Sequence, residues 1–173
     1  MSHAETESRQ TVESLLARIH RVFPISKSNQ VQAELSESTG HPETVEIRAL
    51  LREKNWDDVA DAVYLGHCPS PFVVGEACLL YYLPGLVTAA LLNPESDLSD
   101  RLVTDILRPP TLAKDFELFC RRFAILTCEQ RKCISQVLEY FRVKHYSYSE
   151  KLAARISDSI ARYWGSDPAM PEN

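Results

Sequence analysis

The stretch Phe72–Leu92, FVVGEACLLYYLPGLVTAALL, is the most apolar part of this 173-residue chain, and its reading decides the fold. Its length would suffice to cross a bilayer. Three features argue otherwise. Glu76 sits inside the stretch, Pro84 and Gly85 interrupt it, and no Lys or Arg stands close on either side to orient a span. Nearly every position is apolar, so no single helical face stands out, as expected of a helix surrounded by other helices. The stretch therefore reads as the central helix of a bundle, broken or started at Leu83-Pro84 and stopped at Asn93-Pro94.

Working outward, the helical period recurs and the strand period nowhere convinces. Toward the N-terminus, Val12, Leu15, Leu16, Ile19, Val22 and Phe23 follow helical spacing up to Pro24. Residues 25–42 are polar and punctuated, a loop with one helical turn around Val31–Leu35. The period returns over Glu43–Lys54 through Ile47, Leu50 and Leu51. Asn55 then stands where it would cap a helix carrying Trp56, Val59, Ala60 and Val63, with Asp57 and Asp58 in its first turn. Gly66 ends that helix, and Cys68-Pro69-Ser70-Pro71 is a rigid connector.

On the other side, Ser96 or Ser99 is placed to cap a helix burying Leu98, Leu102, Val103 and Ile106 before Pro109-Pro110. Phe116, Phe119, Cys120 and Phe123 form the next stripe. Thr127-Cys128-Glu129-Gln130 fits a capping box, opening a helix that buries Ile134, Val137, Leu138 and Phe141. A last stripe, Leu152, Ile156, Ile160, Tyr163 and Trp164, ends at Gly165. The expectation is all-α: a compact bundle of about seven helices around a central apolar helix. It is one domain over 1–173, with an N-terminal helix and polar loop (1–42), a core (43–145), a C-terminal helix (146–165) and a tail (166–173) expected to be flexible.

Composition fits a globular domain, at 45% hydrophobic and 25% charged residues. The net charge of −5 excludes a generally basic nucleic-acid coat and a polybasic membrane anchor. That charge is unevenly spread. Residues 55–100 contain no Lys or Arg but hold seven acids: Asp57, Asp58, Asp61, Glu76, Glu95, Asp97 and Asp100. The same window holds the most apolar stretch, so its few surface positions are nearly all acidic. Such a surface suits a cationic partner and speeds encounter with it.

Catalytic motifs are missing: no GxGxxG, P-loop, GxSxG or HExxH occurs. No CxxC is present, and His67-Cys68 is the only adjacent pair of ligand-type residues, so neither a metal nor a cofactor is expected. An odd number of cysteines, five, suits thiols in a reducing compartment. The opening MSHAETESRQTVE lacks the apolar core of a signal peptide, and a cytoplasmic location is expected. Asp57 and Asp61 lie one helical turn apart, a spacing that suits a divalent ion but more often marks a solvated helix start. Glu76 is either hydrogen-bonded at a helix start or lines a pocket beside Tyr81–Pro84 with a raised pKa. Tyr81 and Tyr82 read chiefly as aromatic core; alternatively one ring packs and the other shows its hydroxyl to a cleft or partner. Arg121-Arg122 and Arg131-Lys132 form two basic pairs at a helix joint and read as solvated faces. Trp56 and Trp164 read as core.

The combination of Trp56, the Tyr81-Tyr82-Leu83-Pro84 box, Asn93-Pro94-Glu95, and Leu126–Gln130 leading into Val137–Phe141 resembles a family of small bacterial proteins of unknown function. The resemblance covers residues 43–145 and rests on a YLP box and an LTxxQ capping box. It implies a small cytosolic chain without a known cofactor and transfers no catalytic residue. By analogy such chains are similar to immunity proteins encoded beside secreted toxins. The resulting expectation is a non-catalytic, antitoxin-like protein that occludes a cognate toxin with a basic surface. Its expected contacts are Asp57, Asp58, Asp61, Asp97 and Asp100, with Tyr81 or Tyr82 as anchor. Nucleic acid and membrane are not expected partners. Two alternatives stay open. One is a small-ligand binder or enzyme with a pocket near Glu76 and Tyr81–Pro84. The other is a homodimeric regulatory protein, and oligomeric state is left undecided.

Overall fold

Helix α4 (Glu76–Leu92) is the axis on which the other elements are arranged, and it is buried on nearly every side. The computed structural model describes residues 3–37, 40–60 and 75–165. Ahead of α4 come α1 (His3–Val22), α2 (Asn29–Ser36), α3 (Pro42–Arg52) and a 3-10 turn at Asp58–Ala60. After it come α5 (Asp97–Arg101), α6 (Ala113–Phe123), α7 (Cys128–Lys144) and α8 (Glu150–Ser159). Short π-helical turns extend α5 over Leu102–Ile106 and α8 over Ile160–Trp164. The described residues are thus all-helical, with eight α-helices and no strand among them. None of their helices is long and apolar enough to cross a membrane.

The central stretch departs from expectation at Pro84, which neither starts nor breaks the helix but sits inside it. Proline removes one backbone donor from the ladder. The neighbouring Gly85 marks a close approach of another segment. A Cβ built there would lie 2.2 Å from the backbone oxygen of Trp56, so the missing side chain lets the 55–60 segment lie directly against α4. Trp56 is fully buried at this contact and donates its indole N–H to the Pro24 carbonyl at 2.9 Å.

The start of α4 is held from outside the helix. The Glu34 carboxylate, on α2, accepts the backbone N–H groups of Ala77 (3.2 Å) and Cys78 (2.8 Å). These are donors that a helix cannot satisfy internally. Gly75, at φ 139°, delivers the chain into this contact, and any side chain there would collide with the same carboxylate.

Around this axis, α1 packs on α4 and α7, α2 on α3 and α4, and α7 on α8 and the terminal π turn. The expected capping box is present in full. Thr127 N–H donates to Gln130 Oε1 at 2.9 Å, and Gln130 N–H donates to Thr127 Oγ1 at 3.2 Å. Ser96, not Ser99, supplies the side-chain cap of α5, accepting from Ser99 N–H. Helix α6 is outermost and is fixed mainly through aromatic side chains. Phe119 and Phe123 pack edge-on or tilted against Tyr163 and Trp164, and the Arg162 guanidinium lies over the Phe116 ring. Trp164 is buried and donates to the Leu107 carbonyl at 2.6 Å, so both tryptophans are core. The helix expected to run from Asn55 to Gly66 is described only as far as its 3-10 turn. Val63, Gly66, the Cys68–Pro71 connector and the 166–173 tail lie outside the described residues.

Candidate functional site

The acids nominated from the sequence fall into two groups. Asp57 and Asp58 belong to the segment against the first half of α4, whereas Asp97 and Asp100 lie on α5 beyond its C-terminal end. Asp61 lies outside the described residues. In the first group, Asp58 is exposed, but its Oδ2 accepts the Asn55 backbone N–H at 2.9 Å and closes the turn. The Asn55 side chain is turned toward α4, its Oδ1 accepting from the Tyr81 hydroxyl at 3.2 Å. Asp57 is half-buried, and its Oδ1 is enclosed without a hydrogen-bond partner among the described residues.

Both tyrosines of the YLP box bond through their hydroxyls to the segments that precede α4. Tyr82 is buried and donates to the Leu51 and Lys54 carbonyls, at 2.7 and 2.9 Å. Tyr81 is half-buried and donates to the Ile25 carbonyl as well as to Asn55. Burial pushes both phenols above their ordinary range. Their hydroxyls tie α4 to the segments that precede it, leaving neither as a protruding anchor. Glu76 is exposed in the first turn of α4, where its charge complements the helix dipole, and it pairs with Arg122 of α6 at 3.3 Å.

The second acidic group is differently built. Glu95, Asp97, Asp100 and Asp105 are all exposed along one short stretch. Ser99 fixes that stretch to the end of α4 by donating to the Asn93 carbonyl at 2.8 Å. Asp100 Oδ1 accepts the hydroxyl of Tyr146, a buried residue, at 2.6 Å. The Tyr148 ring lies 6.4 Å, centroid to centroid, from that of Tyr146 and is 80% exposed. An exposed aromatic thus stands one ring away from the Asp100 carboxylate that Tyr146 holds. Periodicity did not single out Tyr148, because it lies between the last two helices.

A third locus was only half legible. Arg131 and Lys132 meet Arg18 of α1 in an open cleft of about 280 Å³, lined also by Cys128, Ser135, Gln136, Trp164 and Gly165. The four basic residues of the helix joint are therefore divided. Arg122 pairs with Glu76 and Arg121 with Glu117, whereas the other two turn toward α1. Among the described residues no group of three or more His, Cys, Asp or Glu is arranged to hold a metal ion. Cys78, Cys120, Cys128 and Cys133 are all thiols, and burial pushes Cys78 up to about 12 and Cys133 to about 11.

The profile of a family of unknown function, DUF6714, matches residues 11–167. The chain belongs to this family. The DUF6714 match runs well past the 43–145 core, taking in most of α1 and all of α8 with its π turn. All three loci therefore lie within the family domain. No curated protein and no solved structure matches the chain.

Proposed function

We propose that this DUF6714 protein is a non-catalytic binding protein that occludes a protein partner with a basic surface, as an immunity protein does its toxin. The observation that carries this reading is the exposed Tyr148, whose ring neighbours that of Tyr146, the donor to Asp100, on a stretch of exposed carboxylates anchored to the end of α4. Aromatic anchors surrounded by charge are a recurrent arrangement at protein interfaces. Fixed carboxylates also lower the ordering cost of docking a cationic surface. Toxins acting on nucleic acids or nucleotides have basic clefts, to which carboxylates present themselves as phosphate mimics. The contacts proposed from the sequence are accordingly narrowed to Asp97 and Asp100, joined by Glu95 and Asp105, and Tyr148 takes the anchoring role first given to Tyr81 or Tyr82.

The test is co-expression with the product of the adjacent gene. The expected result is a complex that survives size-exclusion chromatography and growth rescue of cells producing that neighbour. Absence of both a complex and rescue contradicts the proposal.

A further inference from the structure

The geometry points to a second binding site, independent of the acidic one: the cleft between α1, α7 and the terminal π turn is a receptor for a phosphate-type dianion, free or at the end of a small phosphorylated molecule. Three cations, Arg18, Arg131 and Lys132, line the cleft. Glu129 answers Arg18 at 3.1 Å. Three positive charges against one carboxylate leave an excess of two, which matches a phosphomonoester near neutral pH.

Burial distinguishes this cluster from an ordinary solvated basic face. Arg131 is only 9% exposed, and its Nε is enclosed without a hydrogen-bond partner among the described residues. Arg18 Nε is in the same condition. Arg131 also stands beside the hydroxyl of Tyr163, next to Trp164 of the cleft wall, where its charge and hydrogen bonding offset part of the rise that burial gives the phenol's pKa. Buried donors are ordinarily satisfied, and unmet ones call for a specific explanation. Guanidinium groups present a fork of donors that matches phosphate oxygens, and the exposed Lys132 adds a point charge at the rim. Ser135 and Gln136 supply further polar groups, and the buried Trp164 gives one wall an apolar face. Cys128, the first residue of α7, brings the positive end of a 17-residue helix to the same cleft. The proposal rests on a cavity and on buried unmet donors, with the helix end as an added contribution.

Cys128 also supplies the readout, since its thiol is exposed and lines the cleft. Its alkylation by iodoacetamide, followed peptide by peptide in the full chain by mass spectrometry, is measured against inorganic phosphate, glycerol phosphate, and sodium acetate of equal ionic strength. Saturable slowing is expected with the first two, about tenfold when the anion exceeds its Kd tenfold, because only unoccupied protein is labelled. Tighter protection by glycerol phosphate than by inorganic phosphate identifies a phosphorylated molecule as the natural source, and the reverse order identifies free phosphate. Lys132→Gln, a substitution at an exposed position, is expected to raise the required concentration severalfold, and Arg131→Gln to abolish protection. If Arg131→Gln fails to fold, Lys132→Gln carries the test alone. Slowing that never saturates, that acetate reproduces, or that Lys132→Gln leaves unchanged overturns the proposal.

Discussion

Tyr146 donates its hydroxyl to Asp100 Oδ1 at 2.6 Å, joining the turn after α7 to helix α5. The phenol is buried and the carboxylate exposed, so the bond ties a core ring to a surface charge. Tyr146→Phe keeps the ring and removes the bond, and is expected to lower stability by about 1.5–3 kcal/mol, the range for a hydrogen bond to a charged group. Chemical denaturation checks it. Unchanged stability would mean that water replaces the tyrosine at no loss.

Gly85 offers a test in which two rules oppose each other. Alanine is the better helix former by roughly 1 kcal/mol, so propensity alone makes Gly85→Ala stabilising. The added methyl would lie 2.2 Å from the Trp56 carbonyl oxygen, and backbone cannot give way as a flexible side chain can. Net destabilisation of about 1–3 kcal/mol is expected, the range for an overpacked core. A higher Tm in the variant would show that the 55–60 segment is not seated against α4 in this way.

Gln130 serves two elements at once. Its Oε1 accepts from Thr127 N–H, and its Nε2 donates to the Val22 carbonyl at the end of α1, at 3.1 Å. Gln130→Glu keeps the acceptor and loses the donor, whereas Gln130→Ala loses both. The expected order of stability is wild type, then the Gln130→Glu variant, then the Gln130→Ala variant, with the full loss about 1–2 kcal/mol. Equal stability of the Gln130→Glu variant and the wild type, in thermal unfolding at neutral pH, would remove the tether to α1.

Alkaline pH probes the buried thiols and phenols. Burial raises Cys78 from 9.0 to about 12 and Cys133 from 9.0 to about 11. Tyr146 moves in the same direction, through burial and then Asp100. A group with a raised folded pKa contributes stability below its unfolded pKa and loses it as pH climbs toward the folded value. The Tm is therefore expected to be level up to about pH 8.5, where unfolded cysteine begins to ionise, and to fall steadily toward the folded value of about 11 for Cys133. Cys133→Ala is expected to make that fall shallower. A flat profile across that whole window would contradict the enclosure of these groups.

The helices were largely legible because their apolar residues repeat at helical spacing and their ends carry local signals. The Thr127–Gln130 box is such a signal, with both partners within four residues. Pro84 sits inside α4 although proline locally signals a break, and the Gly85–Trp56 approach beside it is a contact outside the local pattern. The carboxylate that holds the start of α4 comes from Glu34, more than forty residues earlier, and nothing near α4 announces it. Site residues were harder still. Charge placement nominated Asp97 and Asp100 but did not show that Asp58 closes a turn, nor that both YLP hydroxyls bond to the segments preceding α4. The basic cleft joins Arg18 to Arg131 across more than a hundred residues, a juxtaposition that only the packing of α1 on α7 creates.

Binding of the purified chain to the product of the adjacent gene is the most direct measurement, made with wild-type protein and with Asp97→Lys and Tyr148→Ala at low and moderate salt. Both substitutions fall on exposed side chains, so the fold should persist. A stable complex is predicted, with Asp97→Lys slowing association and flattening its salt dependence, and Tyr148→Ala weakening affinity by about 2 kcal/mol or more. No complex, or a complex whose affinity and salt dependence neither substitution alters, would contradict the assignment of this surface.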